Sequence, residues 1–437
     1  MSAGAGSPRL IRHTAFNLVG LGAPLLVAVV AIPYLVRGLG DARFGMLTLI
    51  WAVVSYFGLL DLGLGRALTL HLSQAFATGR SDRVGPIAWT ALALMACVGL
   101  GAGLLLATLS DWGSTLVREA PDPGEVRRAL LAMAVAMPFI VLTSGLRGVL
   151  EAAHRFGVIN AIRVPMGVYT FAGPVAAVAA GFARLDVIAW VLVAGRIIAC
   201  LAHWLFATRV IGAAGAGGAC ADRATVRLLA RSAGWLTISN SVGPLMNYVD
   251  RFVIGVTMSA GSVAHYATPH EMITKLWILP GALTAVLFPS FSAQIARGDP
   301  DARSTYRGSV AVIFAALLPV VIVLSVFAEP LLSAWISGEF AAQSAPVLQV
   351  MAWGMLATCL ATIPFTVIQS AGRARLTALL QLAEFPVFLV VLFALIAKYG
   401  LVGAALAWAL RNVVDAVLLF YFAGGILQRL SPERGPA

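Results

Sequence analysis

The sequence predicts an all-α, polytopic membrane protein of about twelve transmembrane helices, built as two homologous six-helix bundles around a central cavity. Three observations predict it. Of 437 residues, 60% are hydrophobic and 11% charged, against roughly 45–50% and about 25% in soluble domains. Mean hydropathy is +0.91, and at roughly 20 apolar residues per span the material covers about twelve crossings. Short motifs of the first half recur in the second at an offset of about 220 residues, the mark of an internal repeat.

Charged or Pro/Gly-rich breaks delimit the spans at approximately 14–36, 44–76, 84–109, 127–151, 157–182, 186–208, 232–258, 262–295, 307–328, 344–371, 375–397 and 400–424. The first follows Arg9 and Arg12, is longer than a signal-peptide core and lacks a convincing A-x-A site, so it reads as an uncleaved span. The second and eighth are long for a bilayer and are predicted to tilt, kink or protrude. The longest break opens with the small, Gly-rich run Ile211 to Cys220 and continues through Asp222, Arg223 and Arg227. It divides the chain into an N-terminal bundle over 1–208, a cytoplasmic linker over 209–227, and a C-terminal bundle with a short cytoplasmic tail over 228–437. The linker's glycines lack the G-x-x-x-x-G-K-[ST] pattern of a phosphate cradle, so transport powered by the chain's own ATPase is not expected.

The repeat rests on four ordered matches. Gly22-Ala23-Pro24-Leu25 in the first span is echoed by Val242-Gly243-Pro244-Leu245 in the seventh, and Phe76-Ala77-Thr78-Gly79 by Ile295-Ala296-Arg297-Gly298. Arg155 parallels Arg373, and Arg196 parallels Arg411. Six spans per half is an even number, so the halves share one orientation about an axis along the membrane normal. Pro24 and Pro244 then become candidate kinks flanking the cavity.

Net charge is +11 with a pI near 10.2, but no basic run interleaved with aromatics suggests nucleic acid. The basic residues instead orient the spans. With both termini placed inside, the inside breaks hold sixteen of them (Arg9, Arg12, Arg80, Arg83, Arg155, Arg209, Arg223, Arg227, Arg231, Arg297, Arg303, Arg307, Arg373, Arg375, Arg429, Arg434). The outside breaks hold seven (Arg37, Arg43, Arg118, Arg127, Arg128, Arg184, Lys398), which favours cytoplasmic termini. The four cysteines, Cys97, Cys200, Cys220 and Cys359, form neither a disulfide framework nor a zinc spacing. No metal and no cofactor are expected.

Charges inside spans are costly enough to point to function. Seven basic residues fall there (Arg66, Arg147, Arg163, Arg196, Arg251, Lys275, Arg411) with five acids (Asp61, Asp250, Glu271, Glu384, Asp415), leaving two positive charges in excess. Glu271 and Lys275 are four apart, as are Arg411 and Asp415, so each pair can neutralise itself on one helical face. Arg147 has Glu151 at the same spacing near a helix end, and Arg163 also sits near an end. Arg66, Arg196 and Arg251 have no partner four residues away. The candidate cationic, substrate-binding set is therefore Arg66, Arg196, Arg251, Lys275 and Arg411. Asp61, Asp250, Glu271 and Glu384 are candidates for ion or proton coupling, with His270 as a packed neighbour or proton partner.

The run Ile32-Pro33-Tyr34-Leu35-Val36-Arg37-Gly38-Leu39-Gly40, then Phe44-Gly45 and Asp61-Leu62-Gly63-Leu64-Gly65, resembles the opening hairpin of the polysaccharide exporters and O-antigen (Wzx-type) flippases. So do Asp250-Arg251-Phe252-Val253-Ile254-Gly255, Tyr266-Ala267 and Phe288-Pro289. These proteins belong to the multidrug/oligosaccharidyl-lipid/polysaccharide exporter superfamily. The resemblance implies a bacterial inner-membrane flippase that moves an undecaprenyl-pyrophosphate-linked oligosaccharide by alternating access, for O-antigen, capsule or exopolysaccharide. A polysaccharide polymerase or chain-length regulator would be its partner. Two alternatives stand beside it. A drug/cation antiporter of the same superfamily would favour a net acidic cavity, whereas the count here runs basic. A membrane-embedded polymerase or ligase would need a substantial outside loop, and the longest, roughly Ser110 to Val126, is short and lacks histidine. The chain is accordingly expected not to be an enzyme.

Overall fold

The computed structural model describes residues 8–59, 63–213, 225–229, 246 and 248–429, and among them the chain is helical with no strand. It divides into two compact units, one through Tyr248 with Ser259–Gly261, the other made of Val249–Met258 and the chain from Ser262 onward.

The first unit comprises α1 (Pro8–Leu59), α2 (Leu64–Ala77), α3 (Ser81–Thr108), α4 (Ser110–Leu116), α5 (Pro123–Ala152), α6 (Phe156–Ala179) and α7 (Leu185–Ala213). α1 is two helices joined without a loop. Gly40, at φ 75° and ψ 163°, breaks the helical path in a region that only glycine enters readily. α5 starts on Pro123, and the Asp122 carboxylate accepts from the backbone N–H groups of Gly124 and Glu125, so first-turn donors are capped. α2, α3, α5 and α7 share a core that includes Leu68, Leu72, Ala91, Met95, Leu146 and Ala207. Gly99 and Gly103 let α3 meet the backbone of α5: an added Cβ would sit 2.6 Å from Pro138 Cα and 2.5 Å from the Ala134 carbonyl oxygen. Small residues spaced four apart bring membrane helices together in this way.

The second unit comprises α8 (Val249–Thr257), α9 (Ala260–Thr274, its first two residues lying in the first unit), a 3₁₀ turn (Lys275–Trp277), α10 (Ile278–Arg297), α11 (Asp301–Val326), α12 (Ala328–Trp335), α13 (Gly338–Ser370) and α14 (Ala374–Gln428). α13 is its most buried long element, and Ser337 caps it by accepting from the Phe340 N–H. Gly400 interrupts α14 at φ 59°, ψ −135°, so α14 folds as a helical hairpin whose arms are 374–399 and 401–428.

Nine helical stretches among the described residues are long and apolar enough to cross a membrane. Dividing α1 at Gly40 and α14 at Gly400, and adding α8, matches the described helices to the twelve predicted segments in order. Three details differ from the sequence reading. The long second segment is broken before α2, where Gly63 adopts φ 69°. The long eighth is interrupted by the 3₁₀ turn. α7 runs to Ala213, five residues beyond the predicted end of the sixth span, because Arg209 to Ala213 continues its hydrogen-bonded path instead of opening the linker. Most of that linker lies outside the described residues.

Candidate functional site

In the second unit, α8 and α9 bring a chain of polar groups into a buried position. Asp250 and Arg251 lie in the first turn of α8, and both are buried, at 0% and 1% exposure. Tyr266 and His270 are four apart on α9 and thus share a face. The Tyr266 hydroxyl donates to Asp250 Oδ2 at 2.5 Å, and Asp250 Oδ1 accepts the backbone N–H of Arg251 at 2.8 Å. Arg251 Nη2 reaches Glu271 Oε1 at 2.9 Å and His270 Nδ1 at 3.0 Å. A guanidinium only donates, so Nδ1 accepts and His270 is held as the neutral tautomer protonated on Nε2. Lys275 Nζ donates to the other oxygen, Glu271 Oε2, at 3.0 Å. Trp408 of α14 packs edge-on against His270.

The second arm of α14 extends this network. Arg411 lies over the Phe388 ring at 5.6 Å and interacts electrostatically with Glu384, Asp415, Asp250 and Tyr266. Its Nε and Nη1 are buried without a hydrogen-bond partner among the described protein atoms. Three cations and four acids thus share one region of one unit, where low polarity strengthens each interaction and penalises each unpaired group.

The first unit places its charges differently. Glu125, in the first turn of α5, accepts from Arg43 Nε and Nη2 at 3.0 and 3.1 Å and from the Leu185 backbone N–H at 2.5 Å. Asp186, in the first turn of α7, accepts from Arg128 and Arg184, both at 2.8 Å. These acids sit at helix N-termini, where the dipole also favours them. Arg196 is the exception: half-buried in the middle of α7, it has no acidic partner among the described side chains.

The sequence-predicted residues therefore sort unevenly. Glu271 and Lys275 form the expected local pair. Arg411 and Asp415 interact electrostatically but form no ion pair within 4 Å. Arg251, which has no partner at helical spacing, is neutralised by Glu271 from twenty residues away, and this tertiary contact corrects the reading of Arg251 as uncompensated. Arg66 is exposed at the start of α2 and is itself engaged by other groups. Glu384 is partly buried on the first arm of α14. Pro24 packs against α6, where a Cβ on Gly167 would lie 2.7 Å from its Cγ. Farther along the same two helices, α1 and α6 line a largely apolar groove of about 970 Å³ that includes Leu26, Val30, Tyr34, Arg37, Ala172 and Val175. Asp61 and Pro244 lie outside the described residues. The sequence reading did not assign Tyr266 and Trp408 to the network. Tyr266 had a signal, its spacing of four from His270; Trp408 had none.

No group of three or more His, Cys, Asp or Glu side chains among the described residues is placed to hold a metal.

Comparison with known proteins fits this geometry to a family. Residues 10–295 match the family described as polysaccharide biosynthesis protein. The chain is 30% identical over 410 residues, 94% of its own length and 96% of the relative's, to a Shigella flexneri protein named "Putative O-antigen transporter". Among solved structures it resembles the inward-facing conformation of a multidrug resistance MATE family transporter of the MOP superfamily, with a TM-score of 0.80 at 15% identity over 96% of this chain and 99% of that one. It also resembles a MOP superfamily transporter from Pyrococcus furiosus, whose reversed binding-pocket polarity suggests a different function for that protein, with a TM-score of 0.65 at 16% identity over 96% and 95% of the two chains. These structures share the fold.

Proposed function

This chain belongs to the polysaccharide biosynthesis protein family, and from that premise we propose that it is a flippase translocating an undecaprenyl-pyrophosphate-linked oligosaccharide across the bacterial inner membrane by alternating access. As a multi-pass membrane protein of this family it needs a way to carry a diphosphate through a region of low polarity. The observation that carries the reading is Arg196, a guanidinium in the middle of α7 that no described acid neutralises. An arginine fork matches two phosphate oxygens, and an anion meeting it avoids much of the desolvation cost of crossing alone. Arg66, Lys275 and Arg411 extend the cationic path. The acids Asp250, Glu271 and Glu384, of which Glu271 is paired with two cations, serve ion or proton coupling, and Asp61 is assigned the same role. A polymerase or chain-length regulator receives the product on the outer side. The network of the second unit, with four acids to three cations, leaves room for the antiporter reading, but the 30% relative spans nearly the whole chain and favours a glycan substrate.

Complementation tests this. A flippase-null strain supplied with this gene should recover surface glycan, and the lipid-linked oligosaccharide accumulated inside should fall. No recovery with a set of related O-antigen strains, together with export of cationic dyes, would move the assignment to the antiporter class. Reporter fusions after Arg80, within 211–223 and after Arg429 should read cytoplasmic, and one near Asp122 periplasmic. An outside signal within 211–223 would overturn the orientation.

A further inference from the structure

The contact of Glu271 with two cations has a second consequence. One carboxylate serves both Arg251 and Lys275, and Arg251 also has Asp250 against it. The two cations are held unequally. The Arg251 side chain is 2% exposed and divides its Nη2 donors between Glu271 and His270, whereas Lys275 is 38% exposed and holds only the outer oxygen of Glu271, itself 32% exposed. If Lys275 swings away, Glu271 keeps Arg251 and no buried charge is left alone. Lys275 is the removable member.

Lys275 also opens the 3₁₀ turn that interrupts the path from α9 into α10. Pro280 marks the same place: lacking an N–H, it cannot donate to the Leu276 carbonyl, which accepts from the Ile278 N–H instead. Short 3₁₀ stretches inside long helices often mark hinges. The Glu271–Lys275 bridge spans the last turn of α9 and ties the first hinge residue back to it.

We propose that Lys275 is an anion-receptive latch: a phosphate or diphosphate group takes Lys275 from Glu271, and losing that tie loosens the hinge at Lys275–Trp277. The latch joins arrival of an anionic head group to bending of this helix, with Arg251 holding Glu271 in place meanwhile. It rests on the flippase reading only in identifying the natural anion as the diphosphate of a lipid-linked glycan; the latch itself needs only an anion of that chemistry.

The test uses the full chain in phosphatidylcholine nanodiscs, with inorganic pyrophosphate as the probe and hydrogen exchange over residues 272–282 as the readout. Pyrophosphate should raise exchange in this segment about two- to fivefold, the range that losing one partly exposed ion pair supplies. Glu271→Gln should show raised exchange without pyrophosphate and bind the anion more tightly. Lys275→Gln should not respond, and Lys275→Arg, which keeps the cation, should respond and serves as the folded control. Unchanged exchange in the wild type, an equal rise with chloride at matched ionic strength, or a response from Lys275→Gln equal to that of wild type would each overturn the latch. A second arm compares vesicles with phosphatidylglycerol against vesicles without it; a rise caused by the lipid alone makes the head group the natural anion and overturns the glycan-diphosphate assignment. Pyrophosphate binding does not depend on glycan export, so failure of the latch and failure of the flippase reading are read separately.

Discussion

The two units follow one backbone plan and treat charge in opposite ways. α3, α4 and α5 run long, short, long in the first, and α11, α12 and α13 do the same in the second. Positive-φ residues recur at matching turns: Gly79 with Gly298, His154 with Gly372, and Gly181 with Gly400. Yet the first unit pairs Glu125 and Asp186 with half-exposed arginines, while the second buries both Asp250 and Arg251 completely. A pair at a helix end clamps neighbouring helices near water at small cost. A buried network costs desolvation and is weak evidence for stability. The difference teaches that the shared plan sets the scaffold while charge placement varies independently of it, as half-exposed clamps in one unit and a buried network in the other.

The largest expected effect on stability is at Arg251. Arg251→Ala leaves Asp250 and Glu271 short of a fully buried cation and should cost about 3–5 kcal/mol, read as a lower heat-unfolding midpoint of the purified protein. The double change Arg251→Met with Glu271→Leu should recover most of that midpoint but no glycan export. Recovery of export as well would make the network a structural device and erase the contrast. Next is Glu125→Ala in the first unit, which strips the Leu185 N–H and Arg43 of their acceptor. It should cost about 1–3 kcal/mol while export per folded molecule stays near wild type. A specific export defect there would show that the end clamps also move.

Asp186→Asn should cost below about 1 kcal/mol, because its arginines are half-exposed and solvent already screens them. No loss of stability is expected from Arg196→Ala, which removes a half-buried cation that no described acid pairs, with export nonetheless lost and partly restored by lysine, which keeps the charge without the fork. Wild-type glycan display from Arg196→Ala would remove the residue from the substrate path and leave the first unit a scaffold only.

Residue by residue, what was legible follows the reach of each interaction. The Glu271–Lys275 pair could be read because helix geometry alone places residues four apart on one face. Arg196 stood out as a cation within an apolar run for the same local reason. Arg251 could not be read correctly, since its partner is twenty residues away on another helix, and Arg43 with Glu125 is separated by 82. Gly40 and Gly400 could be placed at the ends of spans, but not as the single residues across which two helices run on without a loop.

The sequence by itself determined the membrane class, the helical architecture and the order of the spans. Hydropathy over a window of about 20 residues settles whether a segment can leave water, and in a bilayer such a segment satisfies its backbone as a helix. The tertiary structure decided which charges are spent on each other. That depends on how α8, α9 and α14 rotate and pack until Arg251 meets Glu271 and Trp408 closes on His270. Packing of this kind is set by the fit of many side chains across helices, and no local spacing encodes it.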